Sequence, residues 1–172
     1  MIAAKILGHA AFLDGYDAQA FSLYGAERRG APVASFVRID KNKVLSRGYI
    51  EKPDCIIILD DSLIVEEIKA LDGLEENGIV IVNTSRTKEE IEKQIRKKIP
   101  KNAKIYVVDA TKIAIKHLGR PFVNTAIIGA FVKITGKISK ENTLKALKEE
   151  LKRKREFLKA NEDAFMDCYA SV

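Results

Sequence analysis

A chain of 172 residues is long enough to form one compact domain with a substantial apolar core. Its 47% hydrophobic and 31% charged residues are typical of a globular protein and exclude a disordered, collagen-like or disulfide-scaffold chain. The formal net charge of +6 permits an anionic partner without requiring one.

The first predicted element is a helix over residues 2–13, in which only Lys5 and His9 are strongly polar. A polar stripe this narrow indicates burial on more than one side. The segment lacks the basic leader and cleavage site of a secretory signal, and no apolar run reaches the roughly 18 residues that cross a bilayer, so we expect a cytoplasmic protein without membrane contact. Because no N-cap residue precedes this helix, we also expect that an upstream segment is missing.

Two strands follow, predicted over 16–21 and 33–39, with the loop SLYGAERRGAP between them at 22–32. In this loop two glycines bracket one acidic residue and two arginines, which suits a fixed loop whose guanidinium groups are held in defined hydrogen bonds. Composition leaves two interpretations open: an ordinary surface turn, or a loop that binds a ligand or docks a partner.

The middle of the chain repeats one pattern three times: a short apolar run, a polar end and a helix. The apolar runs are 55–59, 79–82 and 105–108. Apolar runs without alternation, each followed by a helix, predict a parallel sheet that is covered on both faces. Thr87 and Glu90 add a capping-box pattern to the second helix. The predicted fold class is α/β: one three-layer domain with a mostly parallel sheet.

The last third of the chain is predicted to be largely helical. Residues 124–135 combine a loop, Gly129 and a further strand or short helix. Ser139 is a candidate N-cap for a long C-terminal helix. Its apolar positions form a narrow stripe, which predicts light packing on a neighbour: Leu144, Leu147, Leu151, Leu158 and Phe165.

Polar side chains end each of the three apolar runs. They are Asp60 and Asp61, Asn83 and Thr84, and Asp109 and Thr111. Parallel strands bring such residues to the carboxyl edge of the sheet, where α/β proteins bind ligands, although the same residue types also serve as helix N-caps. The chain has neither G-x-G-x-x-G nor G-x-x-x-x-G-K-[ST], so an independent small-molecule enzyme acting at this edge is a weakly supported alternative.

Possible nucleophiles and metal ligands are few. They are Cys55, Cys168, His9, His117, Ser62 and Ser85. Cys55 lies in an apolar run, where a thiol is usually inert; the histidines have no neighbouring motif, and the serines lack a glycine-flanked elbow. Because the spacing of cysteines and histidines fits no zinc, haem or iron–sulfur site, we expect no metal centre in this chain.

Two segments are strongly basic. Residues 86–104 carry eight basic and three acidic residues, and residues 140–159 carry eight and four. Both are predicted to be helical, so the simplest interpretation is a solvated face. The alternative is a basic nucleic-acid-binding α/β domain. Only twelve Tyr and Phe occur in the chain, however, so few aromatic side chains are available for nucleic-acid bases to stack on.

Several motifs together resemble one known family. They are AAFLDG at 10–15, QAF at 19–21, YGAERRGAPV at 24–33, FVRI at 36–39, PD at 53–54, VDAT at 108–111, NT at 124–125 and GA at 129–130. The chain is similar over nearly its whole length to the gamma subunit of pyruvate synthase, in the pyruvate/2-ketoisovalerate:ferredoxin oxidoreductase family. The YGAERRGAP run is the most specific motif, and its wording is closer to the pyruvate and ketoisovalerate branch than to the 2-oxoglutarate branch.

The resemblance implies a role in a larger enzyme. Such enzymes decarboxylate a 2-oxoacid with thiamine diphosphate, pass two electrons through iron–sulfur clusters to ferredoxin, and release an acyl-CoA. In multi-subunit forms the thiamine diphosphate, its magnesium ion and the clusters belong to the alpha, beta and delta subunits. The gamma subunit is then a cofactor-free α/β domain near the entrance for coenzyme A, and the isolated chain is expected to be inactive.

The resemblance also implies which residues meet the partners. The inter-subunit loop would consist of Tyr24, Gly25, Ala26, Glu27, Arg28, Arg29, Gly30, Ala31 and Pro32, and the approach of coenzyme A would be lined by Asn124 and Thr125. The family begins with a strand and a glycine-rich loop that this sequence lacks. That difference agrees with the missing N-cap, and we expect a truncated N-terminus.

Overall fold

A computed structural model describes residues 2–23, 33–46, 48–66 and 68–172. Within these ranges the helices and strands follow in this order: α1 (Ile2–Leu13), β1 (Asp17–Leu23), β2 (Ala34–Asp40), β3 (Cys55–Ile58), α2 (Ser62–Glu66), β4 (Ile79–Asn83), α3 (Lys88–Ile95), β5 (Lys104–Val108), α4 (Ala110–Leu118), α5 (Val123–Thr135), α6 (Lys140–Glu150) and α7 (Leu158–Ala170). Short 3-10 turns occupy Ile68–Leu71, Arg96–Lys98 and Arg155–Phe157. In the described ranges, no helix is long and apolar enough to cross a membrane.

The predicted parallel sheet is confirmed. Strand β4 lies between β3 and β5, and all three run parallel. Alternate side chains of β4 enter two different apolar clusters: Val80 and Val82 pack with Ile91 of α3, whereas Ile81 packs with residues of α1, α5 and α7. Because a strand directs successive side chains to opposite faces, helices cover both faces and the domain has three layers.

Strands β1 and β2 form a separate antiparallel hairpin rather than joining the parallel sheet. On one face of this hairpin Ala18, Val37 and Ile39 pack against the core that contains α1. Gly8 of α1 faces Ala20 so closely that a Cβ at position 8 would lie 3.2 Å from the Ala20 Cβ. The small side chains on both sides therefore let helix and hairpin approach closely.

Local sequence signals mark the start of α3 and both ends of α4. Thr87 accepts a hydrogen bond from the Glu90 amide and Glu90 reaches back to the Thr87 amide, which completes the predicted capping box. Asp109 caps α4 through the Lys112 amide at 2.8 Å. Helix α4 closes at Gly119, whose φ of 66° is a left-handed conformation that favours glycine.

The segment predicted as a loop with a strand or short helix is the 13-residue helix α5. Eight consecutive residues of α5, Thr125 to Val132, are buried. A helix buried on all sides carries no polar stripe, so its sequence cannot be told from that of a buried strand. At Gly129 the fit is so close that an added Cβ would lie 2.2 Å from the carbonyl oxygen of Phe165 in α7.

The chain ends in a helix, α7, but the helical stretch predicted from Ser139 onward is divided into two helices. The predicted N-cap Ser139 does begin α6, by accepting a hydrogen bond from the Asn142 amide at 3.2 Å, but this helix ends at Glu150 and α7 starts at Leu158. The intervening residues 151–157 have the sequence LKRKREF, whose long polar run leaves little apolar surface to continue on the core. The break lets α6 pack mainly on α1 while α7 packs on α4 and α5.

Candidate functional site

The polar ends of the three parallel strands do meet at the carboxyl edge of the sheet. The Thr84 hydroxyl donates to Asp61 Oδ2 at 2.6 Å. The Asn83 amide Nδ2 donates to Thr111 Oγ1 at 2.9 Å and to the carbonyl oxygen of Leu59 at 2.8 Å. These bonds join the ends of β3, β4 and β5 across the edge, as their spacing predicted.

The polar side chains at this edge form their hydrogen bonds mainly with one another and with neighbouring backbone groups. Asn83 and Thr84 are only 6% and 7% exposed, and Asn83 Oδ1 also accepts from the Thr111 amide at 3.1 Å. Asp60 accepts from the Ser62 amide at 3.0 Å, and the hydrogen bonds of Ser62 lower the pKa of the Asp60 carboxyl. Buried groups that already have partners have little capacity left for a ligand. The geometry therefore favours helix capping and the joining of strand ends.

The two thiols are unsuited to nucleophilic chemistry. Burial raises the pKa of Cys55 to about 12 and that of Cys168 to about 11. Both thiols are therefore protonated near pH 7, and it is the thiolate that attacks electrophiles and binds metals. Among the residues that the structure describes, no group of three or more His, Cys, Asp or Glu side chains is arranged to hold a metal ion. The described residues do not fit a metal or cluster site of their own.

His117 belongs to a contact between two helices. Its Nε2 lies 2.9 Å from Asp167 Oδ2 of α7, and Lys116 Nζ lies 2.8 Å from the same oxygen. Hydrogen bonds from Lys116 and then His117 lower the pKa of Asp167. A shallow depression of about 390 Å³ beside this contact is lined in part by Asp109 and Lys112. The arrangement ties α4 to α7, in agreement with a structural role for His117.

The predicted site residues lie in two different settings. The loop Tyr24–Pro32 is outside the described residues. In the sequence it lies between β1 and β2, whose residues Leu23 and Ala34 pair with each other. Thr125 is 4% exposed, and its hydroxyl donates to Asn161 Oδ1 of α7 at 2.6 Å. Asn124, in the first turn of α5, is half-buried. Thr125 thus contributes to helix packing, and Asn124 is the more accessible member of the pair.

A cluster around Asp14 was missed by the sequence analysis. The Asp14 carboxylate accepts three hydrogen bonds at 2.6 Å, from the Ser139 amide, the Ser139 hydroxyl and the Asn142 side-chain amide. It thereby connects the end of α1 to the start of α6. Ser139 was identifiable as an N-cap because its pattern is local, whereas no local signal reveals a partner 125 positions away.

The family model of pyruvate ferredoxin/flavodoxin oxidoreductase matches residues 1–171. The chain belongs to this family. Over 147 residues it is 47% identical to the pyruvate/ketoisovalerate oxidoreductases common subunit gamma of Pyrococcus abyssi, an alignment that covers 86% of this chain and 77% of the relative. The predicted resemblance to a gamma subunit of the pyruvate and ketoisovalerate type is confirmed.

Solved structures of the oxidoreductase family agree with the fold. The crystal structure of pyruvate oxidoreductase subunit PORC from Thermotoga maritima matches with a TM-score of 0.81 and 35% identity, covering 98% of this chain and 86% of that one. The gamma subunit of keto/oxoacid ferredoxin oxidoreductase from Geobacter sulfurreducens matches with a TM-score of 0.71 and 25% identity, covering 98% and 88%. The chain is thus a gamma subunit of the 2-oxoacid:ferredoxin oxidoreductase type.

The two basic segments, 86–104 and 140–159, make ion pairs within the chain. Several of their cations are paired within the chain: Arg96 with Glu92 at 2.9 Å, Lys148 with Glu162 at 3.1 Å, and Lys159 with Asp163 at 2.8 Å. All three cations remain partly exposed, as on the solvated face of a helix. These contacts agree with the interpretation of a solvated face.

Proposed function

We propose that this chain is the cofactor-free gamma subunit of a thiamine-dependent pyruvate:ferredoxin oxidoreductase. The complete enzyme interconverts pyruvate and coenzyme A with acetyl-CoA and CO2, and it exchanges two electrons with ferredoxin. The observation that carries this proposal is the family match over residues 1–171, together with relatives whose names specify pyruvate and ketoisovalerate.

We assign the redox chemistry to the partner subunits. In this proposal the alpha, beta and delta subunits hold thiamine diphosphate, magnesium and the iron–sulfur clusters. The protonated thiols and the self-bonded carboxyl edge support a structural role for this chain. Residues 1–172 would act as one domain of the complex, since a single apolar cluster includes residues of α1, the sheet and the C-terminal helix α7.

The contact with the other subunits is proposed at the loop Tyr24–Pro32. The two strands that this loop joins pair with each other and pack on α1, so both ends of the loop are attached to a packed part of the domain. Rigid scaffolds of this kind often carry function on the loops that they support. Asn124 and Thr125 are proposed to lie near the approach of coenzyme A, with Asn124 in the more accessible position and Thr125 fixing α5 against α7.

The proposal is tested by reconstitution. The chain is produced alone and together with the alpha, beta and delta subunits, and reduction of ferredoxin is measured with pyruvate and coenzyme A, with 2-ketoisovalerate run in parallel. We expect no turnover by the isolated chain and full turnover by the complete complex. Turnover by the chain alone, a tightly held prosthetic group in it, or full activity of a complex that lacks it would contradict the proposal.

The loop is tested by a matched pair of double variants. Changing Arg28 and Arg29 to Ala should impair assembly or acetyl-CoA formation, because two guanidinium groups of the contact are removed. The same change at the exposed Arg153 and Arg155 should have little effect. Assembly is measured by co-purification and product formation by acetyl-CoA release. Equal effects of the two double variants would refute the assignment of the loop.

A further inference from the structure

The turn that leads into the central strand β4 contains Asn77 and Gly78, the single Asn-Gly pair of the sequence. Asparagine is a thermolabile residue, and it loses its side-chain amide most readily before glycine, which has no side chain to hinder attack by its own backbone nitrogen. Asn77 is exposed, so water reaches its side chain. A chemically reactive pair therefore lies at the entrance to the parallel sheet.

The backbone nitrogen that would attack Asn77 is held by the fold. The Gly78 amide donates to the carbonyl oxygen of Glu75 at 2.8 Å and closes a four-residue turn, called the 75–78 turn below. Gly78 is buried, and a Cβ added to it would lie 2.5 Å from Leu74 Cδ1, so the Leu74 side chain packs directly on this glycine. To attack Asn77, the Gly78 nitrogen must lose its proton and leave its hydrogen bond. The closed turn therefore protects Asn77.

Hydrogen bonds on both sides fix the 75–78 turn to the neighbours of β4. The Gly78 carbonyl oxygen accepts from the amide of Lys104, the first residue of β5, at 2.9 Å. The next amide, that of Ile79, donates to the carbonyl oxygen of Asp54, directly before β3, at 2.9 Å. Opening of the turn therefore disturbs the first hydrogen bonds of the sheet, and it costs free energy even when the rest of the domain stays folded.

We propose that Asn77 is a site of spontaneous deamidation and that local opening of the 75–78 turn controls its rate. In the open turn the Gly78 nitrogen forms a bond to the side-chain carbonyl carbon of Asn77. The proton of the Gly78 nitrogen passes through solvent to the Asn77 side-chain nitrogen, which leaves as ammonia. Water then opens the cyclic imide at either carbonyl and leaves aspartate or isoaspartate at position 77. The overall reaction consumes one water molecule, releases one ammonia and needs no oxidant or reductant.

Either product changes the entrance to β4. An aspartate adds a negative charge directly after Glu75 and Glu76. An isoaspartate also adds one methylene group to the backbone, immediately before the groups that bond to Lys104 and Asp54. Because β4 is the central strand, a longer backbone at this point disturbs its pairing on both sides. The modified chain should therefore unfold at a lower temperature than the intact chain. The inference does not depend on the proposed function.

The experiment compares deamidation in the folded chain and in a synthetic peptide of residues 70–86, at the same pH and temperature. Trypsin releases the same segment from the aged chain, because Lys69 and Arg86 bound it, and mass spectrometry measures the fraction in which an amide has become an acid. Asn77→Gln identifies the site, since glutamine closes the ring more slowly and the segment also contains Asn83. Hydrogen exchange of the Gly78 amide measures opening of the turn.

Two core variants separate opening of the turn from unfolding of the whole domain. Leu74→Ala removes the side chain that packs on Gly78. Leu71→Ala is the matched control, because Leu71 belongs to the same apolar cluster but is not among the nearest neighbours of Gly78. The two leucines are 6% and 2% exposed, so both substitutions lower the stability of the domain. Urea unfolding verifies that each variant is folded and measures its free energy of unfolding.

We expect the folded chain to deamidate at least about tenfold more slowly than the peptide, because the closed turn must first open. Leu74→Ala should deamidate at least about threefold faster than Leu71→Ala, and exchange of its Gly78 amide should accelerate by a similar factor. The modification should disappear in Asn77→Gln.

Several results would overturn the inference. They are equal rates in the folded chain and the peptide, a modification that persists in Asn77→Gln, and a folded chain that stays unmodified while its Gly78 amide exchanges. Rates in Leu74→Ala and Leu71→Ala that follow only their free energies of unfolding would also overturn it, because unfolding of the whole domain would then control the reaction. If Leu74→Ala does not fold, exchange of the wild-type Gly78 amide decides, and exchange through global unfolding alone contradicts the inference.

Discussion

Replacing Asp14 with Asn should destabilise the domain by about 2 kcal/mol in the free energy of unfolding. Asp14 receives three charge-assisted hydrogen bonds from Ser139 and Asn142, all at 2.6 Å. Hydrogen bonds to charged groups each contribute roughly 1.5–3 kcal/mol, but Ser139 is exposed and regains water when the bond is lost. Asparagine also places an N–H₂ group against donors. A loss of about 2 kcal/mol therefore remains after the discount.

The same substitution should change the dependence of stability on pH. Burial raises the pKa of Asp14, but the hydrogen bonds from Ser139 and Asn142 outweigh burial, and the pKa in the folded state is lowered. The stabilisation is therefore complete above the unfolded pKa of roughly 4 and is lost as the pH falls through the lower folded pKa. The wild type and Asp14→Asn should thus converge in stability under acidic conditions.

Urea unfolding at pH 7 and at several values below pH 4 measures both effects. Asp72→Ala serves as the control, because Asp72 is an exposed aspartate and surface substitutions of this kind change stability by about 0.5 kcal/mol or less. An Asp14→Asn variant as stable as the wild type at pH 7 would refute the reasoning. A difference that stays constant or grows as the pH falls would refute the assigned role of the carboxylate charge.

Two further substitutions test the packing of α7. Gly129→Ala places a Cβ 2.2 Å from the Phe165 carbonyl oxygen, so α5 and α7 must separate, and we expect urea unfolding to show a loss of about 3 kcal/mol in the free energy of unfolding. Gly48→Ala is the control and should be nearly neutral, because no atom lies within 4 Å of the added Cβ. Equal losses for the two variants would contradict the packing argument. Asn161→Leu leaves the buried Thr125 hydroxyl without its acceptor and should cost about 1–3 kcal/mol. Adding Thr125→Val should recover part of that loss in a double-mutant cycle, and strict additivity would argue against the bond.

The parallel sheet was predictable because a strand that is buried on both faces has a continuous apolar sequence. Strands β3, β4 and β5 consist of short apolar runs, and each run is followed by a polar residue that caps or precedes a helix. Such signals span only a few residues, so a single sequence contains them. The meeting of Asn83 with Thr111 followed from parallel topology alone, since the strand ends must share one edge.

The errors arose where the structure depends on distant contacts. Helix α5 is buried all round, and nothing in its own sequence indicates whether a helix or a strand fills that space. The break between α6 and α7 follows from the need to pack on different neighbours, which the regular spacing of Leu144, Leu151 and Leu158 conceals. The carboxylate of Asp14 finds its donors only after α1 and α6 have come together.

The carboxyl edge and the hairpin differ in how far their side chains already have partners within the chain. At the carboxyl edge, Asn83, Thr84 and Thr111 direct their polar atoms to one another, so the edge that commonly binds ligands in α/β proteins is used to hold the strands together. The hairpin shows the opposite arrangement: its inner face is packed on α1, while Arg38 orders a segment that exposes Leu45 and Tyr49. A packed domain whose carboxyl edge is closed in this way is suited to the structural role proposed for this chain.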